Sequence, residues 1–140
     1  MTKNLMFWRQ IMQLKIYNLI QMEDDTEIIE EIHDCQWTSK GDYDYLVHQN
    51  DHDEKVVIKF NSQELTMTRF SQPKSIMHFV KNEDNLASIP TSMGVQSLVT
   101  RTKSFVFEKE ARRLHLGYDL LTDSEAKIPL ASYKMQISWS

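Results

Sequence analysis

The chain has 140 residues, of which 41% are apolar and 26% are charged, and its formal net charge is −4. This composition excludes wholesale disorder, and the apolar runs of about four residues are far shorter than the ~20 residues of a membrane-spanning helix. The acidic balance argues against general nucleic-acid binding, which depends on cationic contacts to phosphate. The length is that of a single domain, which we place at residues 12–140.

Residues 1–11 differ in pattern from the rest of the chain. Leu5, Trp8 and Ile11 follow the spacing of one helix face. We therefore expect an N-terminal extension that forms a short helix over one end of the domain or a disordered tail. It lacks the long apolar run of a secretory signal. The single cysteine, Cys35, allows no intrachain disulfide, and together these features predict a cytoplasmic protein.

From residue 12 onwards, apolar and polar residues alternate with the period of two that half-buried strands show. Turn-forming residues recur at intervals of roughly nine to seventeen residues and separate about nine strands. The apolar sets that share a face are Met12, Leu14, Ile16 and Ile20; Val56, Ile58 and Phe60; Leu65 and Met67; Ile76 and Val80; Leu114, Leu116, Tyr118 and Leu120; and Ala131, Tyr133, Met135, Ile137 and Trp139.

Many strands in one small domain leave exposed sheet edges unless the sheet closes on itself. We therefore predict an all-β fold, an antiparallel β-barrel of about eight to ten strands. A barrel of this size can enclose one small ligand.

A series of short motifs runs through the second half of the chain. In order, they are Met67-Thr68-Arg69, Met77-His78-Phe79, Thr91-Ser92-Met93-Gly94, Thr100-Arg101-Thr102-Lys103 and Leu114-His115-Leu116-Gly117-Tyr118-Asp119-Leu120. Their order and spacing resemble the YwiB-like family of uncharacterised bacterial proteins, catalogued as domain of unknown function 1934. The chain departs from the family pattern at Ser71, Ser92 and Met93, where the family has glycine, proline and tyrosine.

The resemblance implies a calycin-like, lipocalin-type β-barrel. It implies no chemistry, because the family has no established activity. The Gly-x-Trp signature of true lipocalins is also absent from this sequence. A barrel alone supports ligand binding only by analogy.

Five residues are candidates for binding a ligand in such a barrel, namely Arg69, His78, Arg101, Tyr118 and Tyr133. Arg69 shares strand parity with Leu65 and Met67, and a buried guanidinium needs an anionic partner. It would bind the carboxylate or phosphate of an amphipathic ligand, or it is a structural arginine, buried in an ion pair or lying at an exposed strand tip. His78 and the two tyrosines are equally well explained as core residues.

The strand within Val95–Phe107 does not reveal its inner face. One face carries Arg101 and Lys103 beside two phenylalanines, and the other carries Thr100 and Thr102. If the first face lies inside, the interior is cationic and suits an anion. If it lies outside, it belongs either to a basic patch for nucleic acid or an acidic partner or to a solvated outer face, which we favour. The patch would consist of Arg101, Lys103, Lys109, Arg112 and Arg113.

The sequence shows no strong metal or catalytic motif. The residues His48, Asp51, His52 and Asp53 have metal-ligating chemistry, but we assign them to an exposed polar turn that does not hold ligands in a convergent arrangement. We predict no metal and no cofactor. Nucleophile, phosphate-loop and dinucleotide motifs are absent, and Cys35 has no basic neighbour in sequence to activate it. No catalytic residue is predicted.

The acidic segment Glu23–Glu31 has two interpretations. It would bind a cation or a basic partner, or it forms a solvated hairpin, which we favour.

The leading functional hypothesis is noncatalytic binding of a small hydrophobic or amphipathic ligand in the barrel. The alternative is a packed barrel that acts as a protein-interaction or regulatory module, either with a protein partner or as a homodimer. A third hypothesis is an enzyme that uses a polar cluster near Arg69. A filled interior would argue against the first, and a convergent acid–base pair would favour the third. We expect no membrane partner and no nucleic acid.

Overall fold

Ten β-strands account for most of the chain after residue 11. The computed structural model describes residues 11–140, so the predicted N-terminal extension lies outside the described residues except for Ile11. The strands are β1 (Met12–Gln21), β2 (Thr26–Lys40), β3 (Tyr43–Gln49), β4 (Lys55–Phe60), β5 (Glu64–Arg69), β6 (Ser75–Val80), β7 (Asp84–Thr91), β8 (Gly94–Glu108), β9 (Arg113–Leu121) and β10 (Ala131–Trp139).

The ten strands form one closed sheet. Each strand pairs with the strands before and after it in the chain, and β10 pairs with β1 to complete the barrel. All of these pairings are antiparallel. The prediction of an all-β antiparallel barrel of eight to ten strands is therefore confirmed. Within residues 11–140 there is no helix long and apolar enough to cross a membrane.

One end of the barrel, which we call the aromatic end, is filled by four aromatic rings. The ring of Phe60 lies 5.2 Å from that of Phe107 and 5.3 Å from that of Trp139. Trp37 meets Trp139 edge-on at 5.9 Å. Phe60 and Trp139 are almost fully buried, and rings at these separations attract one another in addition to burying apolar area. Aromatic side chains therefore fill the barrel interior at this end.

A β-bulge between Thr102 and Ser104 explains why neither predicted face of β8 lies wholly inside the barrel. Before the bulge, Thr100 and Thr102 point inward and are 0% and 1% exposed. After it, Phe105 points inward and is 4% exposed. The extra residue of a bulge shifts the alternation by one position, so each predicted face is inside for part of the strand. Arg101 lies on the outer wall.

The apolar face predicted for β6 is wrong. Ile76 is 37% exposed on the outer wall, whereas Phe79 is 1% exposed and lies opposite the buried Leu65 of β5. Because β6 carries apolar residues on both faces, its own alternation does not fix which face is inside. Pairing with β5 fixes it, and this places His78 on the outer wall as well.

The long strand β2 has two partners in succession. Thr26–Cys35 pairs with β1, and Gln36–Lys40 pairs with β3. On the side facing β3, no described strand pairs with residues 26–34 of β2. The two strands diverge beyond the last pair, Gln36 with Val47. The barrel wall is therefore open between β2 and β3.

The bulge in β8 generates a test of local packing. Gly117 of β9 lies opposite Ser104, and a Cβ atom added to Gly117 would lie 2.5 Å from the Oγ atom of Ser104. We expect Gly117→Ala to lower the free energy of unfolding by about 1 kcal/mol or less, because the exposed Ser104 hydroxyl must leave its rotamer. Urea unfolding of the purified variants measures the loss. Adding Ser104→Ala should restore most of it, and an equal loss in both backgrounds would contradict this contact as the cause.

Candidate functional site

The opening between β2 and β3 forms a cleft of about 450 Å³, which we call the β2–β3 cleft. It lies where the two strands diverge, so side chains from the inner and the outer faces of the wall both reach it. The lining residues are Ile11, His33, Asp34, Cys35, Gln36, Val47, His48, Gln49 and Lys55. Apolar, aromatic and charged groups thus meet in one open cleft.

Two histidines from opposite sides of the cleft are in contact. The rings of His33 on β2 and His48 on β3 stack with centroids 4.3 Å apart and an interplanar angle of 24°. Nε2 of His33 also donates a hydrogen bond of 2.9 Å to the Glu31 carboxylate. The pair bridges the strands at a level where no main-chain pairing joins them.

The ring of His48 is buried with a polar atom unsatisfied. It is 5% exposed, and its Nδ1 atom has no hydrogen-bond partner. Burial lowers the pKa of His48 to about 4, with a further lowering from His33 and a partial offset from Glu31. The ring is therefore neutral at pH 7. A buried ring nitrogen without a partner is costly.

Cys35 lies beside this pair as an inert thiol. It is 3% exposed, and burial followed by the negative charge of Asp34 raises its pKa. The thiolate, which is the nucleophilic form, is therefore disfavoured.

Lys55 provides the cation at the rim of the cleft. It is exposed, and its Nζ atom lies 5.9 Å from the centre of the Phe70 ring. This ammonium is available to an anionic group, while Ile11 and Val47 supply apolar surface in the same cleft.

Tyr118 and Tyr133 are the two predicted residues that the structure brings together. Both point into the barrel, where their rings stack 4.6 Å apart at 5°, and Phe79 packs against Tyr118 at 4.5 Å. Burial raises the pKa of both hydroxyls, so they are protonated at neutral pH. They form part of the barrel core or its lining, as either sequence interpretation allowed.

Arg69 is the last residue of β5 and pairs with Val56 of β4, which in turn pairs with His48 of β3. The three residues therefore lie side by side on the inner face of the barrel. Its side chain is 43% exposed, and its Nε atom lies 3.9 Å from a carboxylate oxygen of Glu54. This position matches the proposed strand-tip arginine. The Arg69 cation thus lies two strands away from His48 and the β2–β3 cleft.

His78 and Arg101 lie on the outer wall, apart from the tyrosines. His78 donates to Glu64 at 3.0 Å, and this hydrogen bond, with one from Tyr43, lowers the pKa of the carboxyl. Arg101 forms two bonds of 2.8 Å to Asp84 and a third to a backbone carbonyl. Both side chains therefore have partners within the outer wall, and the inside-facing position considered for Arg101 is wrong.

Sequence reasoning missed the histidine pair. His48 was grouped with His52 in an exposed turn, but it occupies β3 with its side chain inward, and only His52 lies in the turn. Its parity with the buried Leu46 was the signal that would have placed it inside. The described part of the chain contains no group of three His, Cys, Asp or Glu side chains placed to hold a metal ion.

Burial of His48 makes stability depend on pH. Its pKa is about 4 in the folded protein against 6.5 in the unfolded chain, so the unfolded chain binds the extra proton between these values. The stability that comes from keeping His48 neutral is fully present above pH 6.5. It is lost as the pH falls from 6.5 towards 4, and the free energy of unfolding decreases by at most about 1.4 kcal/mol per pH unit.

NMR titration of the His48 ring measures this pKa directly, and a midpoint near that of an exposed histidine would contradict it. In unfolding experiments at pH 7 and pH 4.5, His48→Asn should lose less stability on acidification than the wild type does. Leu46→Val, a change at a buried side chain that does not titrate, should lower stability by the same amount at both pH values.

Comparison with known proteins agrees with this architecture. The crystal structure of the ywiB protein from Bacillus subtilis matches with a TM-score of 0.77 and 22% sequence identity, covering 92% of this chain and 89% of that chain. The likeness shows a shared fold, and the ten-stranded antiparallel barrel fits the calycin-like fold that the sequence resemblance implied. No curated protein matches the chain.

The family assignment rests on most of the sequence. The family model described as "Domain of unknown function (DUF1934)" matches residues 14–137, which span all ten strands. The chain therefore belongs to the DUF1934 family.

Proposed function

We propose that this protein is a noncatalytic binding protein that holds a small amphipathic molecule in the β2–β3 cleft. The observation that carries the proposal is His48, a buried neutral histidine that lines the cleft and has an unpartnered Nδ1 atom. Buried polar groups in folded proteins are nearly always hydrogen-bonded. A ligand group in the cleft would supply the missing partner.

The packed aromatic end leaves no room for a ligand at that end of the barrel axis. The aromatic end is filled by Trp37, Phe60, Phe107 and Trp139. The cleft volume of about 450 Å³ lies within the range of about 300–1,000 Å³ that small-molecule sites occupy. An apolar body would lie on Val47 and the histidine rings, and an anionic head would reach Lys55.

The chemistry of the cleft favours binding over catalysis. His48 is neutral and buried, and the Cys35 thiol is protonated. His33 is stacked on His48 and paired with Glu31, whose carboxylate orients the ring. These groups hold and orient a molecule, and none of them is an activated nucleophile.

Two measurements on the full chain test the proposal. Native mass spectrometry of the freshly purified protein should show an adduct that is lost on denaturation. Titration with 1-anilinonaphthalene-8-sulfonate, an amphipathic anionic probe, should give saturable fluorescence with one site per chain. Absence of both the adduct and saturable probe binding would overturn the proposal.

Variants then locate the site. We expect His48→Leu to weaken probe binding about tenfold, the equivalent of one hydrogen bond of ~1.4 kcal/mol. His48→Asn keeps a polar atom near the Nδ1 position and should bind more tightly than His48→Leu. His115→Leu is the matched control, because His115 pairs with Glu108 on the outer wall.

A variant that spares the histidine pair covers the case in which His48→Leu fails to fold. Val47→Trp adds a large side chain at the half-buried cleft wall and should abolish probe binding by filling the space. Probe affinity unchanged by Val47→Trp, in a variant whose circular dichroism spectrum matches the wild type, would contradict the cleft as the site.

A further inference from the structure

The edge of β2 that faces away from β1, over residues Thr26–Asp34, has no partner strand among the described residues; we call it the free edge. Thr26–Cys35 hydrogen-bonds to β1 on one side, and pairing with β3 begins only at Gln36. Apart from the Thr26 N–H, which donates to the Asp25 carboxylate at 2.9 Å, no other hydrogen bond of the described residues involves the main chain of this segment. Backbone N–H and C=O groups that point away from β1 are therefore available to an added strand.

The free edge carries only one of the features with which proteins usually protect a sheet edge. Protected edges carry charged side chains, above all lysine, or a proline, a bulge or a covering segment, and here the charged side chains are carboxylates. Residues 26–34 contain no lysine, arginine, proline or glycine, and their pairing with β1 runs without a register shift. Three isoleucines, Ile28, Ile29 and Ile32, are 61%, 39% and 56% exposed. Exposed apolar groups beside an unpaired backbone are typical of a surface that receives a partner.

Charge identifies the chemistry of that partner. The strand and the turn before it carry seven acidic residues, namely Glu23, Asp24, Asp25, Glu27, Glu30, Glu31 and Asp34. Among the described ion pairs, Lys15 neutralises Glu30 at 3.7 Å and His33 pairs with Glu31, and no other pair involves an acid of this set. The free edge is therefore acidic as well as apolar.

Charge repulsion opposes a second copy of the chain in the register that pairs the isoleucines with one another. In the symmetric antiparallel register that sets Ile28 against Ile32 of the second copy, Glu30 lies opposite Glu30 of that copy. Like charges directly opposite each other destabilise a strand pair. A segment with basic residues at those positions replaces the repulsion with attraction.

We propose that the free edge of β2 binds an extended basic segment of a partner protein as an added β-strand. On each face of β2, isoleucine and acidic residues alternate. The matching strand therefore carries Val or Ile opposite the isoleucines and Lys or Arg opposite the acids. Main-chain hydrogen bonds supply affinity and the alternate side chains supply specificity, as in other complexes formed by strand addition. The free edge meets the proposed small-molecule site at one end, because His33 and Asp34 belong to the edge and also line the β2–β3 cleft.

Peptide binding to the full chain tests the proposal. The probe is the peptide KTVKKVVKT, written so that an antiparallel strand sets its lysines against Asp34, Glu31, Glu30 and Glu27. We expect saturable binding by calorimetry and new amide protection in residues 26–34 by hydrogen exchange. The charge-reversed peptide ETVEEVVET should bind at least tenfold more weakly. A peptide N-methylated at alternate residues should also lose binding, because one edge of its backbone can no longer donate.

Substitutions on exposed side chains provide the matched controls. The double variant Ile28→Lys with Ile32→Lys places lysines on the free edge and should weaken the peptide at least tenfold. Ile128→Lys makes the same chemical change at a side chain that is 81% exposed in the loop before β10, and it should leave affinity within twofold. None of these changes touches His33, His48 or Lys55, so probe binding in the β2–β3 cleft should be unaffected.

Several results would overturn the proposal. One is no detectable peptide binding, and another is equal binding of the N-methylated peptide, which would indicate charge attraction alone. A third is strong amide protection of residues 26–34 in the protein without peptide, because the edge would then already be covered. Light scattering in that case distinguishes a second copy of the chain from a segment of the same chain.

Discussion

The length of β2 is the constraint on which the open side of this barrel depends. Neither neighbour pairs with all fifteen residues of β2, so β1 pairs with Thr26–Cys35 and β3 pairs with Gln36–Lys40. The change of partner opens the wall between β2 and β3. The cleft and the exposed isoleucines follow from this one offset. So does the contact between His33 and His48, which bridges the gap by side-chain stacking where backbone pairing has ended.

The barrel has two regions that differ in packing, the aromatic end and the open wall between β2 and β3. At the aromatic end, Phe60, Phe107 and Trp139 pack against one another and supply much of the apolar burial that stabilises the fold. Buried polar atoms without partners occur in both regions, at Nε1 of Trp37 and Trp139 in the aromatic end and at Nδ1 of His48 beside the β2–β3 cleft. An unpaired buried polar atom lowers stability. The apolar burial stabilises the fold despite these costs, and the proposed binding site lies at the open wall.

Much of the fold was predictable from alternation, and the exceptions have physical causes. The parity of Leu114, Leu116 and Tyr118 identified the inner face of β9, because Arg113, His115 and Asp119 on the other face are polar. In β6 both faces are apolar, so only pairing with β5 decides that Phe79 is inside. The candidate site was less predictable, since it depends on where β2 leaves β1 for β3. Periodicity describes one strand at a time and carries no information on that offset.

The order of the strands has a consequence for how the barrel assembles. Every pairing but one joins consecutive strands, so hairpins of low sequence separation can form one after another. The exception is β1 with β10, which brings Leu14 opposite Trp139 and closes a loop of nearly the whole chain. Until that last pairing forms, β1 and β10 are the two open edges of a curved sheet. The growing chain is most exposed to edge-to-edge association with other chains during that interval.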